Sequence, residues 1–280
     1  MQRHDFGWSN RAGGRARQQG FTLIEAVMVI ALTGIVITVV AMFIAPATES
    51  YFASSARAQL GDQADTALRR IARDLARALP NSARVSGNGL SLELIPVSAA
   101  ARYATDGAGA LAFGTAGTSF GIVGPPLTLA SANQRLAFYN LGPDTPDADA
   151  YAGANVLTAT NAAGNAAAVN YTGGPLPTSL LAAPYRVYAI EGPVTYRCVL
   201  ATSSTPGTLT RYSGYASQAA QPDPPGSGAA VLARNVSGCQ FSYNPSGITA
   251  RFGLVTLSLQ LTSQGETVSL YHTVHVDNLP

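Results

Sequence analysis

Glu25 is the only charged side chain between Phe21 and Ala45. A charge at the centre of a membrane-spanning helix costs ~2.5–3.5 kcal/mol, and less toward its end, so this carboxylate needs a partner. If the chain is cut between Gly20 and Phe21, Glu25 becomes the fifth residue of the new chain. Its carboxylate then lies one helical turn from a new cationic amine, at the favourable end of the helix dipole. In an assembly it can instead meet the amine of a neighbouring subunit, and pairing relieves both charges in lipid. The chemistry in view is a cut in the chain followed by ion pairing between chains.

Other candidate groups carry less. His272 and His275 are three apart on a strand-like segment, so they face opposite sides and are poorly placed for one metal ion. Asp144, Asp147 and Asp149 form an acidic loop, but the spacing misses the twelve-residue calcium loop and reads as a solvated turn. No acid–His–Ser order or glycine-rich phosphate loop sits in a strand–turn–helix context. The expectation is a protein without catalysis and without a cofactor. Two cysteines, Cys198 and Cys239, each lie in an alternating segment. In a reducing cytosol they would be separate buried thiols; beyond a membrane they would pair. A closed loop of ~40 residues contributes roughly 3–4 kcal/mol in the chain-entropy model. The net charge of +2 implies no nucleic-acid partner.

The elements that position these groups follow from pattern. Residues 1–20 carry Arg3, Arg11, Arg15 and Arg17 against Asp5 alone, a flank held on the cytoplasmic side of a membrane. Residues 21–45 make a helix ~37 Å long, enough to span a hydrocarbon core. A secretory signal would be shorter, and Ala45-Pro46 is a poor exit site; an ordinary signal anchor would leave Glu25 unexplained. Pro46 predicts a kink or a restart of the helix. Residues 51–79 then show an amphipathic period, with Leu60, Ala64, Leu68, Ile71, Leu75 and Leu79 on one stripe. Arg69, Arg73 and Arg77 occupy another face, with Asp65 placed to pair Arg69 and Asp74 beside Arg77. That face reads as solvated, with contact to acidic neighbours as the functional alternative. Tyr51 and Arg57 read as interface anchors, and Pro80-Asn81 ends the helix.

The remainder reads as strands. Asn88-Gly89 marks a tight turn before the alternating residues 90–94. Residues 97–184 look loop-rich, with isolated strand candidates at 120–123, 135–141 and 156–160. Clearer strands follow at 185–190, 194–200, 209–212 and, with breaks, 231–243, while residues 213–229 read as an exposed loop. In the last hairpin Val255, Leu257, Leu259 and Leu261 alternate with polar residues. A turn at Ser263-Gln264-Gly265 follows, and Val268, Leu270, Val274 and Val276 continue the apolar face. One covered and one wet face predicts an antiparallel sheet on the amphipathic helix, an α+β fold. The organisation is a cleavable leader at 1–20, an apolar helix at 21–45, an amphipathic helix at 46–80 and a β-rich domain at 81–280.

The run Gly20-Phe21-Thr22-Leu23-Ile24-Glu25, with its basic leader and long apolar helix, resembles the processing motif of type IV prepilins and type II secretion pseudopilins. That resemblance implies a type IV pilin-like fold and cleavage after Gly20 by a prepilin peptidase and methyltransferase. It further implies methylation of Phe21 and a packing role for Glu25. The implied partners are other major and minor pilins, an assembly platform with its ATPase, and the bacterial inner membrane. The leader would be cytoplasmic and the C-terminal domain periplasmic until assembly into the pilus. Residues 65–75 with 78–82, the two cysteine strands and residues 253–278 resemble the O-type minor pilins of the mannose-sensitive haemagglutinin pilus system. J-type secretion pseudopilins and W-type minor pilins share this plan, and a tip adhesin is a further alternative.

Overall fold

The computed structural model describes residues 20–245 and 252–280. The basic leader read at positions 1–19 lies outside the described residues. The chain divides into two compact units, residues 1–52 and 53–280, and helix α1 covers Leu23–Leu75.

In the first unit the described chain is helix from Leu23 onward, with its apolar side chains exposed, Leu23 at 86% and Ile30 at 73% among them. It is long and apolar enough to cross a membrane. Thr33, Thr38 and Thr48 donate their hydroxyls to the carbonyls of Val29, Gly34 and Ile44, four residues back, at 2.6, 2.8 and 3.1 Å. These polar groups are thereby satisfied inside the helix, as an apolar surround requires. The helix passes through Pro46 without restarting.

In the second unit the stripe is realised. Leu60, Ala64, Leu68, Ile71 and Leu75 are buried, joined by Ala67. The helix stops at Leu75, short of the expected 79. Its last amides bond three residues back, Arg77 N–H to Asp74 and Ala78 N–H to Leu75. The backbone is then captured by an extended segment: Leu79 N–H donates to Ile95 O at 2.7 Å, and Val97 N–H to Arg77 O at 2.8 Å. Tertiary pairing therefore ends the helix before Pro80 is reached.

The strands begin with β1 (Arg84–Val85), β2 (Ser91–Leu94), β3 (Val97–Tyr103), β4 (Ser119–Val123) and β5 (Leu127–Leu129). Next come β6 (Arg135–Phe138), β7 (Val156–Ala159), β8 (Gly164–Ala166), β9 (Ala168–Thr172) and β10 (Arg186–Ile190). The chain ends with β11 (Val194–Val199), β12 (Thr208–Tyr212), β13 (Ala230–Arg234), β14 (Val236–Pro245), β15 (Phe252–Ser263) and β16 (Glu266–Asp277). One antiparallel sheet has the order β1-β2-β11-β12-β13 and another β14-β15-β16. Both contribute to a single core with the helix stripe, through Leu92, Tyr196 and Leu209 from the first and Phe241, Leu257 and Leu259 from the second. This is the α+β, pilin-like arrangement expected. In the last hairpin Ser263 pairs with Glu266 across Gln264 and Gly265. Both have positive φ, 53° and 81°, as a two-residue type I′ turn demands.

Residues 97–184 depart from the loop-rich reading. Six strands close into an antiparallel barrel in the order β10-β3-β4-β9-β7-β6. Its own core is built on Phe120, Phe138, Leu136, Val169 and Val187, with the Phe120 and Phe138 rings 5.8 Å apart edge to face. The strands are short and several inward residues are alanines, so their alternation is faint in the sequence. Closure removes the free edges that short strands would otherwise present. The barrel leaves and rejoins the main sheet at one point. Glu191 N–H donates to Pro96 O at 2.9 Å, and β2 pairs directly with β11. A third cluster, including Leu79, Ile95, Tyr151, Tyr188 and Ile190, seats the barrel against the end of the helix.

Candidate processing and assembly site

Thr22 stands immediately before the first helical residue, and its hydroxyl oxygen accepts the Glu25 N–H at 3.3 Å. Its carbonyl accepts the first intrahelical bond, from Ala26 N–H at 3.1 Å. Thr22 is thus the N-cap and Glu25 the third helical residue, the Thr-x-x-Glu spacing of a capping box. The carboxylate occupies the turn where the helix dipole favours negative charge. Among the described residues it enters no ion pair, and it is exposed. A charge held at the helix start with no internal counterion is available to an amine from outside the fold. The pairing Thr-x-x-Glu is visible in the sequence and supplies a local role for Glu25 that charge arguments alone pass over.

Gly20 lies just ahead of the cap. A Cβ built there meets nothing within 4 Å, so this fold does not itself require glycine at position 20. Phe21 is exposed between Gly20 and the cap. The scissile bond proposed from sequence therefore sits in non-helical, accessible chain, as a protease needs.

Cys198 on β11 and Cys239 on β14 form a disulfide. The bond joins the five-stranded sheet to the three-stranded one, the two layers that share the helix stripe.

Several other residues are placed differently from their sequence reading. Arg57 pairs with Glu266 at 2.7 Å, tying the helix to β16, a partner that the sequence reading did not name. Asp74 does not serve Arg77. It accepts from Tyr196 Oη at 2.6 Å, from Arg211 Nε at 3.0 Å, and lies 3.5 Å from Arg70. Burial, reinforced by the Asp74 charge, holds the Tyr196 hydroxyl well above its ordinary range. Asp65 does pair with Arg69, at 2.6 Å, as the four-residue spacing predicts. Asp149 is buried rather than solvated, its carboxylate accepting the Tyr151 N–H at 2.8 Å and the Asp144 N–H at 3.3 Å. His272 and His275 pair with Leu257 and Leu254, three apart on β16 and so on opposite faces, as their spacing predicts. Among the described residues no three His, Cys, Asp or Glu side chains gather to hold a metal.

One buried polar network has no counterpart in the sequence reading. Glu93 on β2 is fully buried and receives Arg84 Nε at 2.7 Å and Tyr215 Oη at 3.0 Å. The Arg84 guanidinium also donates to the carbonyls of Gln218 and Ala219 and lies 3.6 Å over the Tyr151 ring. Burial raises the Glu93 carboxyl above its ordinary value even against the pull of Arg84. The network locks the long β12–β13 loop and a barrel loop onto the first hairpin. Its signal was present, because a hairpin centred on Asn88-Gly89 sets residue 84 opposite residue 93.

The chain was compared with known proteins. Residues 15–41 match the family described as the prokaryotic N-terminal methylation motif. No curated protein and no solved structure matches the chain. The matched stretch contains Gly20, Phe21, the Thr22 cap and Glu25, so the N-terminus is of prepilin type. That motif implies processing by a prepilin peptidase and assembly with other pilins. With it, the long helix and antiparallel sheets are those of a protein similar to type IV pilins and pseudopilins.

Proposed function

We propose that the protein is a minor type IV prepilin, cut after Gly20, methylated on Phe21 and built into a pilus as a structural subunit without catalysis of its own. The observation that carries this reading is the exposed Glu25 carboxylate, capped into the first turn of an uncovered apolar helix directly after an accessible Gly20–Phe21 bond. Moving that helix from lipid into a bundle of like helices exchanges one apolar surround for another. Burial among neighbours then carries no large solvation penalty, and the Glu25 charge selects the register. The MSHA minor-pilin assignment rests on the resemblances of residues 65–75 with 78–82, the cysteine strands and residues 253–278. The membrane in question is the bacterial inner membrane, with the β-rich domain on the periplasmic side and the pilus platform and ATPase as machinery.

The test is deletion of the gene in its native host. Loss of surface pili with secretion intact supports the minor-pilin reading. Intact pili with loss of type II secretion overturns it in favour of a pseudopilin. A second reading, a binding subunit displayed on the fibre, is favoured by the barrel, which has its own core and enters and leaves the main sheet at one point. Replacing the barrel and finding normal piliation with lost surface attachment would support it.

A further inference from the structure

The outer wall of the barrel sets two like charges face to face. Arg102 on β3 is directly opposite Arg186 on β10, and Val123 on β4 is opposite Arg102 on its other side. Residues paired across a ladder point to the same face. The neighbouring Tyr103 and Val187 are buried inside while both arginines are exposed, so this row faces outward. Like charges in direct opposition destabilise a sheet. Among the described residues neither arginine is ion-paired to a carboxylate. Tyr188, two residues along β10, donates its hydroxyl to the Leu279 carbonyl at 3.4 Å. Asp277 acts on the Tyr188 hydroxyl without pairing to either arginine.

The row borders a cleft. Gly124, at φ 95°, turns the chain so that Pro125 and Pro126 stand beside it. The cleft has a volume of about 380 Å³ and is lined by Ala100, Ala101 and Val123 as well as by the prolines and the arginines. Val123 is 51% exposed, an apolar surface left uncovered beside two cations. A ligand suited to this has an oxyanion at one end and a compact body with an apolar face. Two guanidinium groups bind a carboxylate through charge-assisted, directional bonds.

We propose that this cleft binds an acidic saccharide, its carboxylate held by Arg102 and Arg186 and one face of its ring against Val123, Pro125 and Pro126. The anion supplies the counter-charge that the fold omits. This inference is independent of the pilin reading, since it rests on the barrel alone.

Calorimetric titration of the full-length protein in detergent tests it, with glucuronate, glucose and inorganic phosphate as probes. Glucuronate binding at least about tenfold tighter than glucose is expected, the scale of one charge-assisted bond. Arg102→Gln should weaken glucuronate by about tenfold while its thermal midpoint equals or exceeds that of the unchanged protein, because the repulsion is gone. Val123→Ser should weaken glucuronate and leave phosphate unaffected. Equal affinity for glucose and glucuronate, or glucuronate binding unchanged in Arg102→Gln, overturns the proposal. Phosphate binding as tight as glucuronate overturns the saccharide assignment.

Discussion

Glu25 serves two masters at the residue scale, the helix start and the charge it presents outward, and substitutions separate them. Gln keeps a polar side chain at the third helical position but removes the charge; Val removes both. If charge docks the subunit, Glu25→Gln and Glu25→Val are both cleaved yet both fail to enter the fibre, read by immunoblot of membrane and sheared-pilus fractions. Normal incorporation of Glu25→Gln would show that the capping role alone matters. Thr22→Ala should loosen the helix start by about 1 kcal/mol and reduce incorporation less than either. Gly20→Trp places its side chain at an exposed position where a Cβ meets nothing within 4 Å, so it should accumulate as an inserted, uncut precursor. Normal processing of that variant would contradict a peptidase requirement at this position. The Gly20–Glu25 stretch was legible because an ionisable group in an apolar run stands out against its cost, whereas the cap needed the helix boundary to be known.

Among the elements, the first hairpin and the disulfide hold the sheets to the helix. Arg84→Ala leaves Glu93 buried without its cation and should cost about 3–5 kcal/mol, measured by thermal or denaturant unfolding. Glu93 also sets a pH dependence whose sign follows from burial. Its folded pKa is raised above the ordinary 4.5, so the folded state holds the proton more tightly than the unfolded. Its stabilising contribution is complete below that value and declines as pH rises through the folded pKa. The stability advantage of the unchanged protein over Glu93→Gln should therefore shrink from about pH 4 upward; an advantage that grows with pH would mean that Arg84 outweighs burial. Replacing both cysteines by Ala reopens a loop of sequence separation 41 and should cost ~4 kcal/mol in the chain-entropy model. The final hairpin was the most legible element because its apolar alternation is strict and its turn carries Gly. The helix end was less so, since the backbone of residues 77–79 is claimed by partners near Ile95 that no local pattern announces.

For the whole molecule, the helix stripe and the two outer sheets follow from periodicity, and the barrel does not. Its strands are short, several inward positions are Ala, and its stability comes from closure, which is a property of pairing between distant segments. Phe120 and Phe138 are the anchors a reader of the sequence could have asked about, since each stands in a strand candidate without an evident partner. Because Pro96 and Glu191 are hydrogen-bonded, replacing residues 97–190 by a two-residue turn should leave the β2–β11 pairing and the disulfide intact, checked by circular dichroism and thiol titration. Free thiols in that variant would show that the barrel is needed to fold the rest. The most direct measurement of what this protein is for remains the N-terminus of the mature chain, read by mass spectrometry on protein isolated from native membranes and fibres. A chain beginning at Phe21 with one added methyl group is the expected result; a chain beginning at Met1, or cut after Ala45, would contradict it.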